Sequence, residues 1–382
     1  MRLTLLLAWI LATASTLPAQ SIVNPVRLRR VLPQFEAETN SLHCEISVLK
    51  PTLNFSFRFQ AGYVVTVPMK QFAGPNHGWT MLTRITPVEG DGKPVYLMSS
   101  YALPNVPDTK VELQYGGAYL LGEGAYDVRW MLLDDGGRVC RKNWRVDVHL
   151  ARAEQKVHVA MPRQTVWELS LRGARRLPAV TDGAAPVSMT ILLHAAPLFP
   201  RRTRLRPSDM MTLMSTVSSL LERVPASPVR LVLFNLDQQK ELFRKEDFSL
   251  QDISQVSQAM ANIELGLVDF QTLRNRSGHV DLIADLVNRE MEAQPPSDIV
   301  LFLGPMARHF ESMPQSSLDK PAGRGPQFYY FQITPFPRPV SLPNDTIRST
   351  VGRLGGKTIQ IHTPGEFAKA IERLEKAGKG PA

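Results

Sequence analysis

Three histidines in the C-terminal half, His194, His279 and His309, stand beside apolar runs in a way that invites a chemical reading. His194 ends the run Met189–Leu193, His279 opens the helical pattern that carries Val280 and Ile283, and His309 follows Leu303–Gly304–Pro305. Imidazole nitrogens suit zinc, but two histidines without a third ligand make a poor site. His309 is the one candidate third member. Each histidine is therefore assigned to solvent or to a hydrogen bond, and neither a metal nor a cofactor is expected.

Positive charge gathers beside the first of them, in Arg201-Arg202-Thr203-Arg204-Leu205-Arg206, and again in Arg172-Gly173-Ala174-Arg175-Arg176. The whole chain of 382 residues has a formal charge of +9. That balance suits an anionic surface and says nothing about fold. The clusters lack the interleaved aromatics on which bases stack, so no nucleic-acid partner is expected.

The motif inventory argues against an enzyme. The chain holds no Gly-x-Ser-x-Gly elbow, phosphate-cradling Gly-x-x-x-x-Gly-Lys loop, Gly-x-Gly-x-x-Gly fingerprint or His-Glu-x-x-His helix. Leu121-Gly122-Glu123-Gly124 reads as a turn between strands. Asp134-Asp135 falls on a hairpin tip, where carboxylates are usually solvated rather than poised for acid and base work.

The elements that must position these residues fall into two halves. Residues 1–20 carry one charge, Arg2, then a short apolar run and small residues. A span needs about 20 apolar residues, so the segment is predicted to be a secretory signal cleaved after Gln20, leaving no membrane span. The chain is then secreted or periplasmic. Cys44 and Cys140 are its only cysteines. An even count in an exported chain favours one disulfide, with two free buried thiols as the alternative, since sequence supplies no distance between them.

Residues 21–160 alternate with a period of two, as in Leu53-Asn54-Phe55-Ser56-Phe57 and Tyr63-Val64-Val65-Thr66-Val67. Asp134-Asp135-Gly136-Gly137 marks a hairpin. Short strands separated by turn residues predict a β-sandwich. A Val157–Val159 strand is expected near its end, and residues 161–186, including an amphipathic piece at Val166–Leu171, are predicted to be the linker.

From 187 to 378 strands and helices alternate. Strands are predicted at Val187–Leu193, Val229–Phe234, Ile299–Leu303, Phe328–Ile333 and Thr358–Ile361, with Lys240–Arg244 folding back on the second. Ser208 and Ser249 are expected to cap helices, a further helix carries Val280 to Met291, and Thr363-Pro364-Gly365-Glu366 is a capping box. The pattern predicts a doubly wound, mostly parallel sheet with helices on both faces.

This element order, over about Val187 to Lys376, resembles a von Willebrand factor type A domain, and the β-domain-plus-A-domain layout is similar to a family of secreted bacterial proteins. Gly124-Ala125-Tyr126-Asp127-Val128 similarly resembles the entry to a late immunoglobulin-like strand, where a tyrosine hydroxyl bonds back to the preceding corner. The A-domain resemblance implies a hard cation held by Asp-x-Ser-x-Ser after the first strand, a later threonine and an aspartate after the fourth strand. Those first three positions are His194, Ala196 and Leu198; the threonine loop corresponds to Asn275–His279, and the aspartate position is Gly304. No carboxylate stands among them, so the cup is expected to hold no metal.

Taken together, the expectation is an exported, non-enzymatic binding or scaffold protein. Its contact with an envelope or extracellular protein would run through His194, Ala196, Leu198, Arg201, Arg202, Arg204, Ser277, His279, Gly304 and His309. Two alternatives stand beside it: a hydrolase of an extracellular polymer, and a carbohydrate-binding protein.

Overall fold

A computed structural model describes residues 20–29, 31–35, 40–90, 92–169, 186–199, 202–263, 274–319, 325–335 and 344–378. The predicted signal up to residue 19, Arg172 to Arg176, most of the predicted linker and Arg201 lie outside the described residues. Two compact units are present. One comprises residues up to Leu53, Arg58–Ala151 and Val159–Ser170; the other comprises Asn54–Phe57, Arg152–His158 and Leu171 onward.

The first unit is built from two antiparallel sheets. One runs β1 (Ser21–Ile22), β5 (Val95–Ala102), β4 (Gly78–Pro87), β7 (Gly124–Asp134), β8 (Val139–Val148) in spatial order; the other runs β2 (Glu45–Leu53), β3 (Phe59–Pro68), β6 (Glu112–Leu121), β9 (Val166–Glu168). Period-two alternation sends one face of each strand inward. The inward aromatics join the two sheets: the Tyr63 ring lies 5.3 Å from that of Trp130, and Trp79 lies 4.9 Å from Tyr115. The unit is therefore sandwich-like.

Cys44 and Cys140 form a disulfide that closes a 96-residue separation, which settles the alternative left open by the sequence. Tyr126 Oη donates to the carbonyl of Gly122, four residues upstream, at 2.8 Å.

Three local expectations change here. Val166–Glu168 is an edge strand on β6 rather than part of a linker; three alternating residues suit either reading until a partner edge is present. Val157–Val159 forms no strand. Asp134 is buried, accepting from Arg138 Nε at 2.7 Å, so it braces the hairpin instead of being solvated. Gln20 is buried and donates to Tyr63 Oη at 2.5 Å.

The second unit holds a six-stranded sheet in the order β12 (Lys240–Lys245), β11 (Ala226–Asn235), β10 (Val187–His194), β13 (Ile299–Gly304), β14 (Gln327–Ile333), β15 (Lys357–Ile361). All neighbours are parallel except the antiparallel edge pair β11–β12. Among the described residues its α-helices are α1 (Pro207–Arg223), α2 (Ile253–Ala261), α3 (Gly278–Glu292), α4 (Thr346–Arg353) and α5 (Pro364–Gly378).

Central strands are apolar at nearly every position because both faces are covered. Leu192, Val232, Val300, Phe302 and Tyr330 pack with Ile283, Leu286 and Val287 of α3 and Ile347 and Val351 of α4. Alternate residues turn to the other face, where the Phe331 ring meets Phe367 of α5 at 6.3 Å.

Helix starts are set by short-range bonding. Pro207 occupies the first turn of α1, so the cap falls at Arg206, two residues before the Ser208 cap expected; Asp209 then accepts from the Arg206 amide at 3.0 Å. Ahead of α2, the Ser249 amide and hydroxyl both donate to Asp252 at 3.0 Å across a 3-10 turn. The Thr363 to Glu366 capping box is present, with 3.2 Å bonds in both directions. No helix among the described residues is long and apolar enough to cross a membrane.

Candidate functional site

The strand order reverses direction at β10: β11 lies on one side and β13 on the other. Open α/β sheets bind ligands outside the carboxyl ends of their strands at such a point. Here β10 ends at His194 and β13 at Gly304. Gly304 has φ +146°, and a Cβ there would stand 2.7 Å from the His194 carbonyl oxygen and 3.0 Å from the His194 Cβ. The two strand ends thus close on each other, and only glycine allows it.

His194 is buried, stacked on Phe234 with ring centroids 5.3 Å apart. Its Nδ1 lies 3.3 Å from the Pro305 carbonyl, which also accepts from Tyr330 Oη at 2.8 Å. A carbonyl is only an acceptor, so Nδ1 carries the hydrogen. Burial pushes the imidazole down to about 4, against a weaker upward pull from Asp237, so it is neutral at neutral pH.

The loop after β13 is held from the side by the start of α4. Asp345 caps that helix by accepting from Arg348 N at 2.7 Å, and its other oxygen accepts from Ala307 N at 3.0 Å and Gln332 Nε2 at 3.1 Å. Thr346 N donates to the carbonyl of His309 at 3.0 Å. Burial raises the Asp345 carboxyl despite these donors.

So fixed, the loop presents Arg308, His309, Phe310 and Glu311. Arg308 bonds to the carbonyl of Arg202 and stands 3.6 Å from Asp237, two residues beyond β11. His309 Nε2 lies 3.4 Å from Asp237 Oδ1 without hydrogen-bond alignment. Burial raises Asp237, but contacts with His309, Arg308 and His194 outweigh it and hold the carboxyl below its usual range.

His279 enters from the first turn of α3. It is buried, its ring stacks on His309 with centroids 4.1 Å apart, and its Nε2 lies 2.8 Å from Glu311 Oε2. Burial and the neighbouring His309 charge lower the His279 imidazole, against the pull of Glu311 and Asp281. One ligand atom from each of His279, His309 and Glu311 falls within 4.8 Å of the others. Phe310, between His309 and Glu311 in sequence, is exposed at 51%.

The residues expected from sequence divide accordingly. His279 and His309 are brought together; His194 is near them but faces Pro305 and Phe234. His194, Ala196, Leu198 and Gly304 are buried, so they form the closed strand ends and no outer contact surface. Arg204 and Ser277 are exposed and Arg202 is half-buried, its guanidinium 3.8 Å over the Phe199 ring. Asp237, Arg308, Phe310 and Glu311 were not singled out by sequence. Their signal was positional: Asp237 follows a strand by two residues, and Glu311 follows His309 by two.

No family model matches the chain, and no curated protein does. Among solved structures, a superoxide reductase (neelaredoxin) from Archaeoglobus fulgidus aligns at 15% identity over 30% of this chain and 94% of its own, with a TM-score of 0.20. An ApaA protein from Bordetella pertussis aligns at 11% identity over 29% of this chain and 98% of its own, TM-score 0.19. A β-glucosidase from Listeria innocua aligns at 12% identity over 29% and 17%, TM-score 0.18. Overlaps at that level bear on neither fold nor function.

Proposed function

We propose that the chain is an exported, non-enzymatic binding protein that docks an acidic surface of an envelope or extracellular protein through the carboxyl edge of its second unit. The order β12-β11-β10-β13-β14-β15 with one antiparallel edge strand supports the A-like reading of that unit, and the Tyr126 to Gly122 bond supports an immunoglobulin-like reading of the first. The observation that carries the function is the closed strand-end pair His194 and Gly304, flanked by an exposed Phe310. The positions that an A-like cup would give to cation ligands are held by buried His194, Ala196, Leu198 and Gly304. Contact then falls to the outer loop, where a large aromatic amid arginines has the make-up of a binding hot spot. Exposed Arg204 and Arg206 extend the positive charge beside it.

A photoreactive phenylalanine analogue placed at position 310 tests this reading in the producing cell. A discrete cross-linked protein is expected, absent when the analogue replaces Val88, which is exposed at 43% in the first unit. No adduct at 310, or the same adduct from both positions, would remove the reading.

A further inference from the structure

We propose that His279, His309 and Glu311 form a binding site for one zinc-class divalent cation, outside the strand-end cup and independent of any protein partner. The donor set comes first. Two imidazoles and a carboxylate are what zinc takes from a protein when a fourth position is left for solvent or a ligand. Oxygen-preferring calcium and magnesium would find a single carboxylate there.

The distances allow closure. Zinc bonds of about 2.0–2.2 Å in a tetrahedral arrangement set ligand atoms about 3.3 Å apart. The three donors are within 4.8 Å of one another, so the required movement is modest. The side chains able to move are the right ones: the Glu311 side chain is 60% exposed and that of His309 27% exposed, whereas His279 is fixed by burial at the start of α3.

The surrounding polar atoms point the same way. His279 Nδ1, His309 Nε2 and Asp237 Oδ2 are all buried without a hydrogen-bond partner. An unsatisfied buried polar atom costs about 1–3 kcal/mol, and His309 Nε2, which faces the Asp237 carboxylate, calls for an explanation. A cation on His309 Nδ1 supplies it: coordination fixes that ring, and Asp237 becomes the carboxylate that accepts from its far nitrogen. The Asp237 carboxylate already stands 3.4 Å from His309 Nε2, leaving Nδ1 of that ring for the ion.

The chain has eight histidines, so the test must separate this cluster from surface uptake. The full chain is titrated with zinc by calorimetry and with cobalt by visible absorption, alongside His309→Ala, Glu311→Gln and Asp237→Asn, each checked for folding by circular dichroism. Neither His309 nor Glu311 is in the core, which keeps those two variants foldable. One zinc equivalent is expected, with cobalt bands of a tetrahedral nitrogen and oxygen site. His309→Ala should abolish both signals, Glu311→Gln should weaken zinc binding, and Asp237→Asn should weaken it about 10–100-fold. No zinc uptake by the folded chain, or uptake unchanged in both His309→Ala and Glu311→Gln, would overturn the site.

Discussion

His279 and His309 stack at 4.1 Å with their ring planes 19° apart. One ring comes from the first turn of a helix, the other from the loop after a central strand. Thirty residues separate them in sequence, and the parallel sheet alone brings them to one edge. That edge also carries Asp237, Arg308 and Glu311, so these charged groups converge just outside two strand ends that are themselves shut.

Burial of neutral His194 has a pH signature. Its folded value of about 4 lies below the ordinary 6.5, so between those values the unfolded chain binds the extra proton. Stability is then full above about pH 6.5 and falls as the pH drops toward 4, by roughly 3 kcal/mol for this group. Asp237, His309 and Arg308 face the ring and set the rest of its field. Urea unfolding of the wild type and of His194→Phe across this range checks the point. Phe keeps the stacking, and Tyr330 still satisfies the Pro305 carbonyl. The variant should show the shallower slope; equal slopes would contradict a buried neutral His194.

The closed strand ends predict a steep penalty for Gly304→Ala. A methyl group 2.7 Å from the His194 carbonyl oxygen, on a backbone with φ +146°, adds overlap to strain, about 2–4 kcal/mol together. Thermal unfolding measures it. A neutral Gly304→Ala would mean that the ends are open enough for a ligand to enter.

Glu290 ties α3 to the sheet at the amino ends of β10 and β13, the end away from the site. It is buried, paired with Arg230 at 2.5 Å and Arg244 at 3.1 Å, and accepts from Thr190 Oγ1 at 2.8 Å. Removing the charge strands two guanidinium groups at a buried position, but Glu246 and Glu241 still pair with them. Glu290→Gln should therefore cost about 3 kcal/mol, the low end for breaking a buried pair, as read from urea midpoints. A loss near zero would show that the surface carboxylates alone hold the arginines.

The second unit was largely legible because its signals are local. Continuous apolar runs such as Ile299–Leu303 mark strands covered on both faces, and Thr363 to Glu366 specifies its cap within one helical turn. The edge strand Val166–Glu168 was not legible, since its identity comes from β6 and not from its own three residues. The site was half legible for the same reason. His194, His279 and His309 were noticed as residue types, but Glu311 gains meaning only once α3 brings His279 within 2.8 Å of it. His194, read from sequence as one of the first pair, turned inward because Phe234 and Pro305 satisfy its ring.

The most direct measurement concerns the outer loop and the shut cup together. With the protein captured through position 310 in hand, its affinity is compared for the wild type and Phe310→Ala, with and without added magnesium or calcium. Loss of at least about 2 kcal/mol on truncating the aromatic, roughly 30-fold, and no response to either cation is the predicted result. Undiminished affinity in Phe310→Ala, or binding that requires magnesium or calcium, would contradict it.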